Sequence, residues 1–172
     1  MCFQMFEALV VSDTHGNISV FKEILQKYPC IEIVLHLGDV SSDVEALSSE
    51  FSLKEFYVVK GNNEYSDRPE EIVMKREGKT MLLVHGHRHA VKKGGSLLLA
   101  HARQKDAKIV LFGHTHIPHI GVEGGVLLVN PGSLCFSMIN LPSYGILKME
   151  NRKIEMQIFD SKGSQVDAIH LE

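Results

Sequence analysis

The chain has 172 residues, 18 Lys+Arg against 21 Asp+Glu for a formal charge of −3, and ten histidines. A single domain over residues 1–172 is the expectation, because a chain of this length buries enough surface to fold without disulfides or structural metal. The 44% hydrophobic and 23% charged content excludes a disordered chain, and the mildly acidic balance argues against long nucleic acid, which needs a basic stripe.

The opening Met1-Cys2-Phe3-Gln4-Met5-Phe6-Glu7 lacks the basic region and apolar stretch of a signal peptide, and Met1 or Met5 could serve as the start. Ala8-Leu9-Val10-Val11 reads as a buried strand running into Ser12-Asp13-Thr14-His15-Gly16. Asn17 is placed to cap a helix carrying Phe21, Ile24, Leu25 and Tyr28 inward, which Pro29 ends. Residues 31–37 form the next predicted strand, Gly38-Asp39 a turn, and Ser42-Asp43-Val44-Glu45 a capping box for a second helix. Phe56-Tyr57-Val58-Val59 then leads into Gly61-Asn62-Asn63-Glu64, so the first third reads β-α-β-α-β with parallel strands.

After a polar loop over residues 66–71, Thr80-Met81-Leu82-Leu83-Val84 is a strand ending in His85-Gly86-His87. A basic loop over residues 88–95 precedes a helix from Ser96, and Ile109-Val110-Leu111-Phe112 stops at Gly113-His114-Thr115-His116. Beyond it, strands at 126–129, 144–149 and 154–159 with a hairpin loop Glu150-Asn151-Arg152-Lys153 make the second half look antiparallel. No run approaches the roughly 20 apolar residues that span a bilayer, so no membrane contact is expected. Cys2, Cys30 and Cys135 are scattered and odd in number, which fits a reducing cytoplasm better than a disulfide framework.

Five of these strands end alike, in an apolar run, often a glycine, and then metal-capable side chains: Asp13 and His15, Asp39, Asn62, His85, and His114 with His116. Ligands of open α/β folds collect outside the carboxyl ends of the strands, so residues distant in sequence converge there. Two carboxylates, one amide oxygen and four imidazoles suit Mn²⁺, Fe²⁺, Zn²⁺ or Ni²⁺, and the lack of thiolate disfavours a structural zinc site. Seven donors exceed one tetrahedral ion but fit two ions sharing a carboxylate, about 3.5–4 Å apart. Two anionic ligands against two dications leave a charge of about +2, which suits an anionic substrate.

The set resembles the signature of calcineurin-like metallophosphoesterases: D-x-H, G-D, G-N-(H/C/N)-(D/E), H and G-H-x-H. It stands here as Asp13-Thr14-His15, Gly38-Asp39, Gly61-Asn62-Asn63-Glu64, His85 and Gly113-His114-Thr115-His116, and Asn130-Pro131-Gly132-Ser133 extends the likeness to the small uncapped microbial phosphodiesterase branch. The resemblance implies an α/β (α+β) fold, a four-layer αββα sandwich of two mixed β-sheets flanked by helices. It implies one ion on Asp13, His15 and His116, a second on Asn62, His85 and His114, and Asp39 bridging. The ions are expected to be Mn²⁺ first, with Ni²⁺, Zn²⁺ or Fe²⁺ as alternatives, and no other cofactor is implied. A metal-bridging hydroxide would attack phosphorus in line in a small soluble phosphodiester. The alternative of another class is a non-catalytic interaction scaffold of the same fold, as in the retromer scaffold subunit with its degenerate metal site. Every ligand position is filled here, which favours the enzyme. Homo-oligomerisation stays open.

One departure falls at Asn63, where many members carry a histidine that binds phosphate or assists the leaving group. Asparagine supplies no titratable proton, so diesters or other substrates with good leaving groups are expected over alkyl monoesters. His87 is a candidate for contact with phosphate, and Arg88, Lys92 and Lys93 for steering anions. Glu64 is expected to orient its loop, Asn130 and Ser133 to shape a turn, His36 to be a strand residue, His101 to lie on a helix face, and His119 and His170 to be solvated.

Overall fold

The computed structural model describes residues 5–136 and 140–172, so Met1 and Cys2 fall outside the described residues. In chain order the elements are β1 (Phe6–Val11), α1 (Ile18–Lys27), β2 (Ile33–His36), α2 (Ser42–Ser48), β3 (Glu55–Val58), β4 (Glu71–Arg76) and β5 (Lys79–Val84). Then come α3 (Ser96–Gln104), β6 (Ile109–Phe112), β7 (His119–Glu123), β8 (Val126–Asn130), β9 (Ser143–Glu150), β10 (Lys153–Asp160) and β11 (Gln165–Leu171). One sheet has the order β11-β10-β9-β1-β2-β3 and the other β4-β5-β6-β8-β7. Both are mixed: β1, β2 and β3 run parallel, as do β5, β6 and β8, and the remaining strands pair antiparallel.

Period-two alternation explains why the central strands read as unbroken apolar runs. Ala8 and Val10 point into the core between the sheets with Leu35, Leu83, Leu111 and Val129. Leu9 and Val11 point the other way, onto Phe21, Ile24 and Leu25 of α1 and Val44 and Leu47 of α2. On the far side Leu82, Val84 and Val110 meet Leu98, Leu99 and Ala102 of α3. Strands covered on both faces need apolar residues at every position, and the result is the expected four-layer αββα sandwich. Among the described residues no helix is long and apolar enough to cross a membrane.

Three strands escape the sequence reading, and each lies at a sheet edge. β4, β7 and β11 are partly exposed along their length, so polar residues interrupt the apolar signal. The antiparallel expectation for the second half holds for β9 and β10 but only in part for β8, which pairs antiparallel with β7 and parallel with β6 from Ile109↔Leu127 to Leu111↔Val129. The unseen β7 explains this: it takes the edge, and a turn at Gly124-Gly125 brings β8 back beside β6. The capping box at Ser42 is also corrected. Ser41 is the N-cap residue, its hydroxyl hydrogen-bonds Glu64, and Glu45 pairs with Arg68 at 3.2 Å. Asn17 occupies the N-cap of α1, but its amide donates to the Leu134 carbonyl at 2.7 Å, tying the helix to the chain beyond β8. The hairpin turn falls as expected, with Asn151 and Arg152 at φ 50° and 71°.

Candidate metal centre

The two sheets bring the carboxyl ends of their parallel strands to one rim. The first sheet delivers Asp13, Asp39 and Asn62, and the second delivers His85, His114 and His116. Backbone bonds stitch the loops together: Asp13 N–H donates to Gly38 O at 3.0 Å and Gly113 N–H to His85 O at 3.0 Å. The His114 N–H donates across the sheets to Asp13 Oδ2 at 3.0 Å. Asp13, His15, Asp39, His114 and His116 all hold positive φ, between 44° and 69°. Such conformations cost roughly 1–3 kcal/mol each for residues with a Cβ, and they persist where surrounding contacts over-determine them.

Two glycines make the approach of these loops sterically feasible. A Cβ at Gly61 would lie 2.1 Å from Asp39 Oδ1 and 2.2 Å from Asp39 N, and one at Gly113 would lie 1.9 Å from Ser12 Oγ. Any larger residue would force the carboxylates apart.

Asp13 is fully buried, and its Oδ2 accepts hydrogen bonds from the Ser12 hydroxyl and the His114 N–H. Its Oδ1 is buried without a hydrogen-bond partner, although His116 Nε2 stands 2.9 Å away, His15 Nε2 3.8 Å and His85 Nε2 3.9 Å. His15 Nε2 and His116 Nε2 also face each other at 3.4 Å. Burial raises the Asp13 carboxyl, but His116, His85 and the Ser12 hydroxyl outweigh it and hold the group below its ordinary value. An orphaned carboxylate oxygen ringed by imidazole nitrogens is the donor set a borderline divalent cation satisfies.

Asp39 lies between the two halves, with Oδ2 3.6 Å from His15 Nε2 and 3.5 Å from His85 Nε2. Burial raises its carboxyl, yet His85 and the Asn63 amide groups push it far below the ordinary carboxylate range. His85 is buried, and its Nδ1 lies 2.7 Å from the Leu37 carbonyl, which can only accept, so Nδ1 carries the hydrogen. That turns Nε2 toward two acceptor oxygens, Asp39 Oδ2 and Asn62 Oδ1 at 3.1 Å, which it meets only through a proton or a cation, the orientation metal-ligating histidines adopt. Burial lowers the His85 imidazole, but Asp39 and Asp13 raise it overall, so a positive charge is favoured at this point.

Two groups of donor atoms therefore lie within 4.8 Å of one another: Asp13, His15 and His116, and Asp13, Asp39 and His85. Asn62 joins the second through His85. His114 stands outside both groups, with its ring centroid 5.0 Å from that of His85. Burial, followed by the charges of His85 and Lys92, pushes its imidazole down to about 4.

The supports are mostly those expected. Glu64 accepts from the Gly61 N–H at 2.7 Å and the Ser41 N–H at 3.0 Å, joining the loops after β2 and β3. Asn130 donates to Gly113 O at 2.8 Å and Ser133 to Asp13 O at 2.9 Å, so both shape turns around the rim. Asn63 turns onto Asp39, with its N–H 2.9 Å from Oδ1 and its Nδ2 2.7 Å from Oδ2. His87 sits beside the centre, its ring 5.4 Å from His85, and burial followed by His85 lowers its imidazole. Arg88 is engaged by Glu70 at 2.9 Å, and His101 on α3 by Glu71 at 2.6 Å. His119 and His170 are exposed, as expected, although the His119 ring also leans on Phe112 with centroids 6.5 Å apart.

Two residues beneath the site do more than the sequence reading gave them, His36 as a strand residue, which it is, and Asp43 as part of a capping box. His36 is fully buried, its Nδ1 accepts the Gly38 N–H at 3.2 Å, and its Nε2 lies 3.3 Å from the Thr14 hydroxyl. Asp43, also buried, accepts the Gly16 N–H at 2.8 Å. A histidine ending an apolar strand immediately before Leu37-Gly38-Asp39 was the available signal for the first.

Comparison with known proteins agrees with this geometry. The "Calcineurin-like phosphoesterase superfamily domain" matches residues 6–152. The probable metallophosphoesterase YsnB of Bacillus subtilis is 29% identical over 162 residues, covering 92% of this chain and 94% of its own. Phosphodiesterase MJ0936 of Methanocaldococcus jannaschii is 24% identical over 163 residues, covering 84% and 93%. A predicted phosphoesterase from Streptococcus pneumoniae superposes with a TM-score of 0.79 at 24% identity, covering 99% of both chains. Vps29 of Entamoeba histolytica complexed with zinc superposes with a TM-score of 0.77 at 25% identity, covering 96% of this chain and 98% of its own. Because the family match covers most of the chain and every loop of the rim, the chain belongs to the calcineurin-like phosphoesterase superfamily, in the small branch typified by YsnB and MJ0936.

Proposed function

We propose that the chain is a metal-dependent phosphodiesterase acting on a small soluble anion, with Asp13, His15 and His116 holding one ion, Asn62, His85 and His114 the other, and Asp39 between them. The observation that carries this reading is the buried Asp13 Oδ1, without a hydrogen-bond partner and set among three imidazole nitrogens, with Asp39 reaching both His15 and His85. Two divalent ions, manganese foremost, would supply charge neutralisation at phosphorus and a water of lowered pKa for in-line attack. The chain's own residues orient the donors: Leu37 O fixes the His85 ring, and the Asn63 amides fix the Asp39 carboxylate.

Asn63 cannot give up a proton, and its side-chain N–H is directed at Asp39. The leaving group departs without a general acid from this position, a loss of about 10²–10⁴-fold for poor leaving groups. That favours activated diesters, and the name phosphodiesterase carried by the M. jannaschii relative agrees. A cytoplasmic setting belongs to this reading and is supported by the free thiols of Cys30 and Cys135.

The second reading, an interaction scaffold, draws on the likeness to Vps29, and the zinc complex of that protein means metal binding alone does not separate the two. Turnover does. Metal-stripped protein reconstituted with Mn²⁺, Ni²⁺, Zn²⁺ or Mg²⁺ is assayed on bis(p-nitrophenyl) phosphate beside Asp39→Asn. Metal-restored turnover that falls at least about 100-fold in Asp39→Asn is expected. Absence of turnover with every metal, or an unaffected variant, moves the assignment to the scaffold.

A further inference from the structure

A groove of about 620 Å³ opens next to the metal centre on the α3 side of the second sheet. It adjoins the centre, because Thr115, which lines it, is the residue between His114 and His116. Phe112, Leu98 and Leu128 give it an apolar floor. Its polar groups are sparse and placed at different depths. His119 opens β7 opposite Asn130, at the rim, whereas Glu123 closes β7 opposite Val126, roughly 13 Å further down the sheet. Lys92 lines the groove from a short 3-10 turn, and its charge reaches His114. Among the described residues, the side chains of Lys92 and Glu123 make no hydrogen bond or ion pair.

An apolar trough with few polar groups, leading from a cationic centre, is the form of a small-molecule subsite. We propose that this groove holds the ester arm retained on phosphorus, a flat aromatic or heteroaromatic ring lying over Phe112 and Leu128. Lys92 stands beside the phosphoryl charge, and Glu123 accepts an N–H at the far edge of the ring. Aromatic rings gain offset or edge contacts with Phe112 and His119 that an alkyl arm lacks. The inference rests on the phosphodiesterase reading and narrows its substrate class to diesters with one amino-substituted aromatic arm.

Gly95 supplies a plug for the groove. Its backbone is right-handed at φ −89° and ψ −3°, and an added Cβ would meet only Glu123 Oε2 at 3.8 Å and Leu128 Cδ1 at 3.9 Å. Gly95→Phe therefore places its Cβ in the groove without backbone strain, and the atoms nearest that Cβ belong to no metal-site residue.

The first readout needs no turnover. Metal-free protein is titrated with phenyl, 4-aminophenyl or methyl methylphosphonate while the methyl resonances of Val91, Leu98 and Leu128 are followed by NMR. Those methyls are expected to shift with the aryl probes, roughly 10-fold more weakly with the methyl probe or in Gly95→Phe, and Glu123→Gln should erase the preference for 4-aminophenyl. The second readout compares kcat/KM for phenyl and methyl p-nitrophenyl phosphates, which share a leaving group, in the Mn²⁺-loaded enzyme. A ratio of roughly 10 that collapses toward 1 in Gly95→Phe, with the methyl ester unaffected, supports the subsite. Unmoved methyls, a ratio that survives the plug, or shifts that follow protein concentration instead of probe, which mark a second copy as the occupant, overturn it. Failure of the wild type to hydrolyse either diester would count against the phosphodiesterase reading, while the titration still decides the groove.

Discussion

Gly61→Ala tests whether close backbone approach builds the metal centre. The new Cβ would lie 2.1 Å from Asp39 Oδ1 and 2.2 Å from Asp39 N. Non-bonded atoms need about 3.5 Å, so the overlap exceeds 1 Å. The carboxylate can swing aside, but the backbone nitrogen cannot, so the loop after β2 or the loop after β3 must move. Either shift disturbs the 2.9 Å bond from the Asn63 N–H to Asp39 and the 2.7 Å bond from the Gly61 N–H to Glu64. Overpacking of this kind costs roughly 1–3 kcal/mol, and a compromised hydrogen bond adds about 1, for an expected loss of roughly 2–4 kcal/mol. Urea denaturation in EDTA measures that loss free of metal. Calorimetric titration with Mn²⁺ should show affinity down roughly 10–100-fold, because Asp39 no longer faces His15 and His85 together. Gly95→Ala, whose Cβ meets nothing closer than 3.8 Å, is the control. Equal urea midpoints and equal Mn²⁺ affinities for the two variants would refute the steric argument.

Burial holds the His36 imidazole down to about 4, against an ordinary 6.5. The unfolded chain therefore takes up a proton that the folded chain refuses, so stability is full above pH 6.5 and falls as the pH drops toward 4, by roughly 2–3 kcal/mol at pH 4.5. His36→Gln should remove that part of the slope in metal-free urea titrations at pH 7 and 4.5, and equal losses in both proteins would contradict it. For Asn63, the reconstituted enzyme should turn over an aryl diester at least about 100-fold faster than an unactivated alkyl monoester. Comparable rates would show that another group protonates the leaving oxygen.

The centre was legible where sequence order and physical necessity coincide. β1, β2, β5 and β6 are covered on both faces, so each is an apolar run that stops abruptly where the chain meets the rim, and the donors follow that stop. The edge strands were illegible for the converse reason: Val73 in β4, Val122 in β7 and Val166 in β11 are exposed, and polar neighbours dilute the pattern. Glu64 could be assigned an orienting role because it closes the G-N-N-E motif, and it does tie Gly61 to Ser41. Asn63 could be recognised as lacking a proton, but nothing in its spacing shows that its amide turns onto Asp39. His36 was hidden by its type, since a histidine ending a strand reads as an ordinary polar residue until its burial is known.

The strain at the rim has a source of support in the docking of the two sheets. Five donor residues hold left-handed backbone, yet the bonds that fix them come largely from the opposite sheet or the next loop: His114 N–H onto Asp13, Ser133 onto Asp13 O, and the Asn63 N–H onto Asp39. The centre therefore exists only while the sheets are docked through Leu37, Val59, Leu83 and Leu111. Dependence does not run the other way, because none of those four residues needs the imidazoles or carboxylates to stay buried. A relative that drifted into a scaffold could lose its donors and keep both sheets, shedding the strained turns as selection on them relaxed. Here the strained turns, the glycines that admit the close approach of the loops and the Asp13 oxygen without a hydrogen-bond partner occur together. The strained turns and the buried oxygen each lower the stability of the metal-free chain, whereas the glycines relieve a steric clash, and a bound cation offsets the first two at once.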